Sequence, residues 1–196
     1  MTGRIETQPQ RNCTTCSFAA VFLAAAASVA SSQPAVSQQT DVAPRGQREA
    51  KDVTYGDWRK LCFKPGGAQM HCRTSITGKF STGQIAVRVD IIEREGDGSA
   101  RLQIFSPVGM YLQKPVRLTV DQAQPHLVPY TWCLANACIA GTVATAKMLQ
   151  EISSGQTVQL EFVDSNLLSL TTTLPLGQFA SVHKGAPAQT FEQDDE

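Results

Sequence analysis

Ile85-Ala86-Val87-Arg88-Val89-Asp90-Ile91-Ile92 is the stretch from which the fold class is read. Ile85, Val87, Val89 and Ile91 recur at every second position, with Ala86, Arg88, Asp90 and Ile92 between them. Side chains on an extended backbone point alternately to opposite faces, so this period marks a half-buried strand, not a helix. Gly96-Asp97-Gly98 supplies a turn, and Arg101-Leu102-Gln103-Ile104-Phe105 returns beside it.

The pattern extends in both directions. Toward the N-terminus, Thr54–Cys62 and Gln69–Ile76 read as two strands joined by the turn signal Pro65-Gly66-Gly67, a hairpin with Cys62 facing Cys72. Toward the C-terminus, Pro107-Val108-Gly109 breaks the sheet, and Val116, Leu118 and Val120 alternate with Arg117, Thr119 and Asp121. His126–Cys133 is a further extended segment in which Pro129 marks an edge or a bulge. The loop Leu134-Ala135-Asn136-Ala137 leads into Cys138–Val143. One helix is expected over Ala144–Ile152, with Met148, Leu149 and Ile152 on one side and Gly155 as its C-cap. Val158, Leu160 and Phe162 begin a last pair of strands that turns at Asp164-Ser165-Asn166 and returns over Leu168–Thr172, and Pro175–Phe179 closes the domain. Many short strands with regularly spaced turn signals and one short helix predict an all-β sandwich, with a barrel as the alternative.

The termini carry a compartment signal. Arg4 and Arg11 precede the apolar run Ser17–Ala30, which has the length of a signal-peptide core and is short for a membrane span. Ser28-Val29-Ala30 places small residues where a leader peptidase reads them, so residues 1–30 are expected to be a signal peptide; an uncleaved anchor is the other reading. Residues 31–52 hold hardly any bulky apolar side chain and are expected to be an unordered linker, the folded domain to span 53–184, and 185–196 to be an unordered acidic tail. Lys plus Arg and Asp plus Glu both number 17. Without Arg4, Arg11 and Glu6 the chain keeps 15 basic and 16 acidic residues, a balance that argues against a nucleic-acid partner, which needs a basic surplus.

Export decides how the six cysteines are read. Cys13 and Cys16 fall in the leader. Cys62, Cys72, Cys133 and Cys138 remain, an even set in an oxidising compartment, which favours two disulfides. Three pairings are possible; the local one, Cys62 with Cys72 and Cys133 with Cys138, needs only a hairpin and a tight loop. Trp132 before Cys133 invites a thiol–disulfide redox reading. Such sites need C-x-x-C opening a helix, however, and here four residues intervene and a strand follows. His71, His126 and His183 form no metal-binding spacing with each other or with the cysteines, since His71 and Cys72 point to opposite faces of one strand. No G-x-S-x-G elbow is present. Glu93 and Glu95, beside Arg94, read as a solvated strand end. Tyr55, Trp58, Tyr111, Tyr130 and Trp132 read first as core or rim anchors and second as an aromatic binding face. No catalytic residue, cofactor or metal is expected.

Tyr55-Gly56-Asp57-Trp58 followed by Cys62 and Cys72, the Pro107-Val108-Gly109 break before Leu112, the Val116–Asp121 strand, Cys133-Leu134-x-x-x-Cys138-x-Ala140 and Leu176-Gly177-x-Phe179 occur in an order that resembles the invasion-associated locus B family of exported bacterial proteins. The resemblance covers about residues 53 to 182, and Lys114-Pro115 departs from it where members tend to place a glycine. It implies an immunoglobulin-like β-sandwich, a periplasmic or outer-membrane-associated location, the four cysteines as disulfide partners, and no enzymatic activity. The function it implies is a binding or adaptor domain, with an unidentified protein or envelope partner and host-cell contact as one setting. The alternative is a periplasmic thiol–disulfide redox protein using Cys133 and Cys138.

Overall fold

The computed structural model describes residues 42–50 and 52–192. The expected leader with Cys13 and Cys16, residues 31–41 of the expected linker and the last four residues lie outside the described residues.

Among the described residues, thirteen strands form two sheets, accompanied by two short helices. The smaller sheet runs β1 (Gly46–Glu49), β12 (Leu168–Pro175), β11 (Thr157–Val163), β7 (Val116–Val120) and β8 (His126–Val128). The larger runs β13 (Gln189–Glu192), β3 (Arg59–Lys64), β4 (His71–Lys79), β5 (Ile85–Arg94), β6 (Ala100–Ser106), β10 (Cys138–Val143) and β9 (Tyr130–Cys133), with β2 (Thr54–Tyr55) also paired to β4. Val87, Val89 and Ile91 of β5 and Leu102 and Ile104 of β6 meet Val116, Leu118, Val158 and Leu160 from the smaller sheet in one core. This is an all-β sandwich.

β5 is buried beyond what its alternation predicts. Val87, Val89 and Ile91 face the core, but Asp90, on the opposite face, is also fully buried. Arg88, Arg73 and Ser75 of its own sheet stand beside it.

Pro129 has a larger role than a bulge. It separates β8, which pairs with β7, from β9, which pairs with β10, so the chain changes sheets at this residue. Proline lacks the N–H a continuous ladder would need, while its carbonyl accepts from Gly141 N at 2.9 Å.

Two helices are present where one was expected. Helix α1 (Ala146–Ser154) starts two residues later than its apolar pattern implies, because the side chain of Thr145 caps it by accepting from Met148 N at 3.2 Å. Gly155 ends it, with an ordinary φ of −76° in place of a left-handed cap. Glycine is required there by space: a Cβ would stand 2.4 Å from Val120 Cγ1 and 3.0 Å from the Glu151 carbonyl. Gly155→Ala is accordingly expected to destabilise by about 1–3 kcal/mol, as overpacking does, read as a lower urea midpoint at unchanged slope.

Helix α2 (Phe179–Lys184) is too short for a readable period, yet it seats Phe179 at zero exposure. The Phe179 ring lies edge-on to Trp58 at 4.8 Å, and Trp58 Nε1 donates to the Pro175 carbonyl at 2.8 Å.

Within the flanks expected to be unordered, the described residues include two strands. β1 pairs in parallel with β12, and β13 in parallel with β3, with Phe191 stacked on Phe63 at 5.1 Å. Composition misleads here because an edge strand is held by backbone hydrogen bonds, such as Arg45 N to Leu167 O at 2.7 Å and Ala50 N to Thr171 O at 2.8 Å, which need no apolar side chain.

Asp121, at a left-handed φ of 48°, pins the start of β11 by accepting from Thr157 N at 2.9 Å and from Gln156 N at 3.1 Å. The hydrogen bonds from Thr157 and then Gln156 lower its pKa. A carboxylate whose folded-state pKa is depressed contributes stability above its unfolded pKa of about 4, and the contribution is lost as pH falls through the folded value. Asp121→Asn keeps the turn geometry and removes that titration. Acid unfolding curves are expected to show a shallower loss below about pH 4 than in the parent chain; superimposable curves would refute the assignment.

Candidate functional site

Both cysteine pairs lie across neighbouring antiparallel strands. Cys62 of β3 bonds Cys72 of β4, and Cys133 of β9 bonds Cys138 of β10, each pair with its Cα atoms 4.0 Å apart. Neither bond touches a helix. Cys62 and Cys138 are buried, and Leu134 N donates to Ala137 O at 2.7 Å to close the small loop between Cys133 and Cys138.

The aromatic residues do not form a common face. Trp58 is in the core, the Tyr55 hydroxyl pairs with Thr172 Oγ1 at 2.7 Å between the sheets, and Tyr130 packs against the core with its pKa pushed up to about 12 by burial. Tyr111 is half-buried, and of the five aromatics only Trp132 is largely exposed, on the edge strand β9.

The histidines are likewise dispersed. His71 stacks on Phe63, and His126 Nε2 meets Glu151 Oε2 at 2.5 Å. His183 lies between Thr74 Oγ1 at 3.2 Å and Glu93 Oε1 at 3.4 Å. Burial lowers the His183 pKa, with Glu93 opposing. Glu93 thus faces a histidine instead of standing in solvent at a strand end. Among the described residues, no three His, Cys, Asp or Glu side chains are grouped to hold a metal ion.

What the fold does assemble is a charged face. The residues of the larger sheet that point away from the core come into register as Arg59 beside Ser75, Ser75 beside Asp90 and Asp90 beside Gln103. The next row holds Leu61, Arg73, Ile92 and Arg101, and Arg88 stands between Thr77 and Phe105. Five arginines from four strands, counting Arg94 opposite His71, therefore share one surface. Arg88 and Arg94 share β5, and antiparallel pairing sets Arg59, Arg73 and Arg101 on the same face from β3, β4 and β6.

Asp90 is the centre of this face. Its Oδ2 lies 3.2 Å from Arg88 Nε, a charge contact and not a directed hydrogen bond. Burial raises the Asp90 pKa, and the positive charges of Arg88 and then Arg73 oppose the rise. The Arg88 guanidinium also lies over the Phe105 ring, 3.7 Å from its centroid, a cation–π contact that fixes its plane. Arg73 leans toward the Phe63 ring at 5.6 Å.

Along this face, between the β2–β3 segment and β4, runs an open groove of about 710 Å³. Arg59, Arg73, Lys79 and Arg88 line it together with Asp57, which accepts from Gln178 Nε2 at 3.1 Å, while buried Asp90 lies beside Arg88 and Arg73. Leu61 and Ile85 supply apolar wall. A small cavity of about 70 Å³ between the sheets is lined mainly by apolar side chains, with Ser106, Thr171 and Thr172 among them. Sequence reading missed the groove because net charge sums over the chain and strand register does not appear in a linear pattern. The one available signal was that Arg59, Arg73 and Arg88 each occupy the polar phase of an alternating strand.

The family model for the invasion associated locus B (IalB) protein matches residues 58–187. Among solved structures, the crystal structure of invasion associated protein B from Bartonella henselae is similar at TM-score 0.58 and 20% identity, covering 66% of this chain and 90% of that one. The likeness in structure supports the fold. No curated protein sequence gives a match.

Proposed function

Since the chain belongs to the invasion associated locus B (IalB) family, we propose that it is an exported, non-enzymatic domain of the bacterial envelope that acts by binding, through the outer face of its larger sheet. The observation that carries this reading is the groove, where four cations outnumber the two carboxylates beside them, Asp57 and Asp90, on a chain with no net charge. Sandwich stability does not require such segregation, and the positive surplus left after Asp57 and Asp90 costs free energy unless a ligand offsets it. The leader, the two disulfides and the family together favour the periplasm or the outer membrane, and the family's name suggests contact with a host cell as one setting. Among the described residues no helix is long and apolar enough to cross a membrane.

A photo-crosslinking residue at Thr77, in the groove, is expected to capture envelope material that the same residue at exposed Thr173 of the smaller sheet does not. Equal capture at both positions would sink the assignment of the face. The redox alternative makes a different prediction. A staple across paired strands is expected to have a reduction potential below about −300 mV, whereas a clearly more oxidising value for Cys133–Cys138 would favour thiol–disulfide exchange.

A further inference from the structure

We infer that the groove over β3, β4 and β5 is a binding site for an acidic polysaccharide, whose carboxylate or sulfate groups lie against Arg59, Arg73, Arg88 and Lys79. The inference rests on the binding reading above and names its ligand class.

The side chains suit this ligand in three ways. Guanidinium groups present planar forks of donors that match carboxylate and other oxyanions in bidentate fashion. They project from neighbouring strands, which are about 4.8 Å apart, so successive charges on one extended chain can be met by successive strands. Leu61 and Ile85, the latter half exposed, offer apolar wall for the C–H faces of sugar rings between the charged groups.

Arg88 is also organised in advance. Asp90 holds its Nε edge at 3.2 Å and Phe105 lies under its plane, so less side-chain entropy is lost when an anion is bound. A fully buried Asp90 on the solvent side of a sheet has no packing reason; its position under Arg88 and Arg73 makes it a positioning residue for them.

Other polyanions fit less well. Single-stranded nucleic acid needs open aromatic rings on which bases stack. Here Phe63 is covered by Phe191 and His71, Phe105 by Arg88, and the Tyr55 hydroxyl is turned to Thr172 between the sheets. A membrane surface needs a broad apolar patch beside the cations, and the groove contributes only Leu61 and Ile85 as aliphatic wall.

The test is binding of the full chain to three fluorescent probes of matched charge: an oligogalacturonate, an oligoglutamate and an oligothymidylate. The oligogalacturonate is expected to bind most tightly, and its affinity to fall as salt rises from about 50 to about 200 mM. The double variant Arg59→Glu, Lys79→Glu changes only exposed side chains and is expected to weaken that binding by about tenfold to a hundredfold. Arg48→Glu on β1, at the edge of the other sheet, is expected to leave it unchanged.

Absence of oligogalacturonate binding overturns the inference, as does equal affinity in the double variant. Equal or tighter binding of oligoglutamate or oligothymidylate overturns the sugar assignment. Crosslinks from Thr77 to envelope material would then still support the binding reading, so the two failures are distinguishable.

Discussion

Phe179→Ala is expected to lower stability by about 3–5 kcal/mol, the cost of emptying a buried aromatic site. In a domain of this size that is a fall in melting temperature of about 10 °C or more, measured by circular dichroism. Phe179 is fully buried, lies edge-on to Trp58 at 4.8 Å and stacks on His183 at 4.9 Å. Trp58 in turn is tied by its indole N–H to Pro175 at the end of β12, so one ring connects α2, the start of the larger sheet and the end of the smaller one. Removing it leaves a cavity that two sheets cannot close by a small shift, because each is fixed by its own ladder. Phe179→Leu fills part of the space and should cost clearly less. A Phe179→Ala chain melting within about 2 °C of the parent would show that α2 is peripheral to the core.

Reduction of both disulfides is the second large effect. Cys62 and Cys72 are separated by 10 positions, and Cys133 and Cys138 by 5. Closing loops of those lengths removes unfolded-state entropy corresponding to about 2.7 and about 2 kcal/mol. Together they approach the lower end of the total stability of a folded domain, about 5–15 kcal/mol. Reductant is therefore expected to lower the melting temperature by about 10–15 °C, with thiol titration confirming that four thiols are released. Replacing only Cys133 and Cys138 by alanine should reproduce the smaller part. An unchanged melting temperature in fully reduced chain would mean that the ladders of β3–β4 and β9–β10 constrain those segments without the bonds. The groove lies on the same sheet as Cys62–Cys72, at its β3–β4 hairpin, so reduction is also a probe of whether the charged face survives loosening of one edge.

The two effects divide between what could be read and what could not. The disulfide set was legible because cysteine spacing, an export leader and alternating strands are local properties of the chain. Helix α2 was not: six residues are less than two turns, too few for a period, and its existence depends on Trp58, which lies 121 positions earlier than Phe179. β1 and β13 were hidden for a related reason. Edge strands gain backbone hydrogen bonds from a partner far away in sequence, and their composition, polar and poor in aliphatics, is that of a linker.

Period and spacing along the chain were enough for the all-β class, the turn positions, the family, and the strands from β3 to β12 with β8 and β9 read as one segment. Tertiary pairing was needed to see that Pro129 carries the chain from one sheet to the other, that α2 seals the core, and that a chain of zero net charge gathers five of its ten arginines on one face. The physical reason is the same in each case. Period says that a side chain alternates between two faces, while register and sheet order say which distant side chains share a face, and the electrostatic field of a surface is set by the second of these.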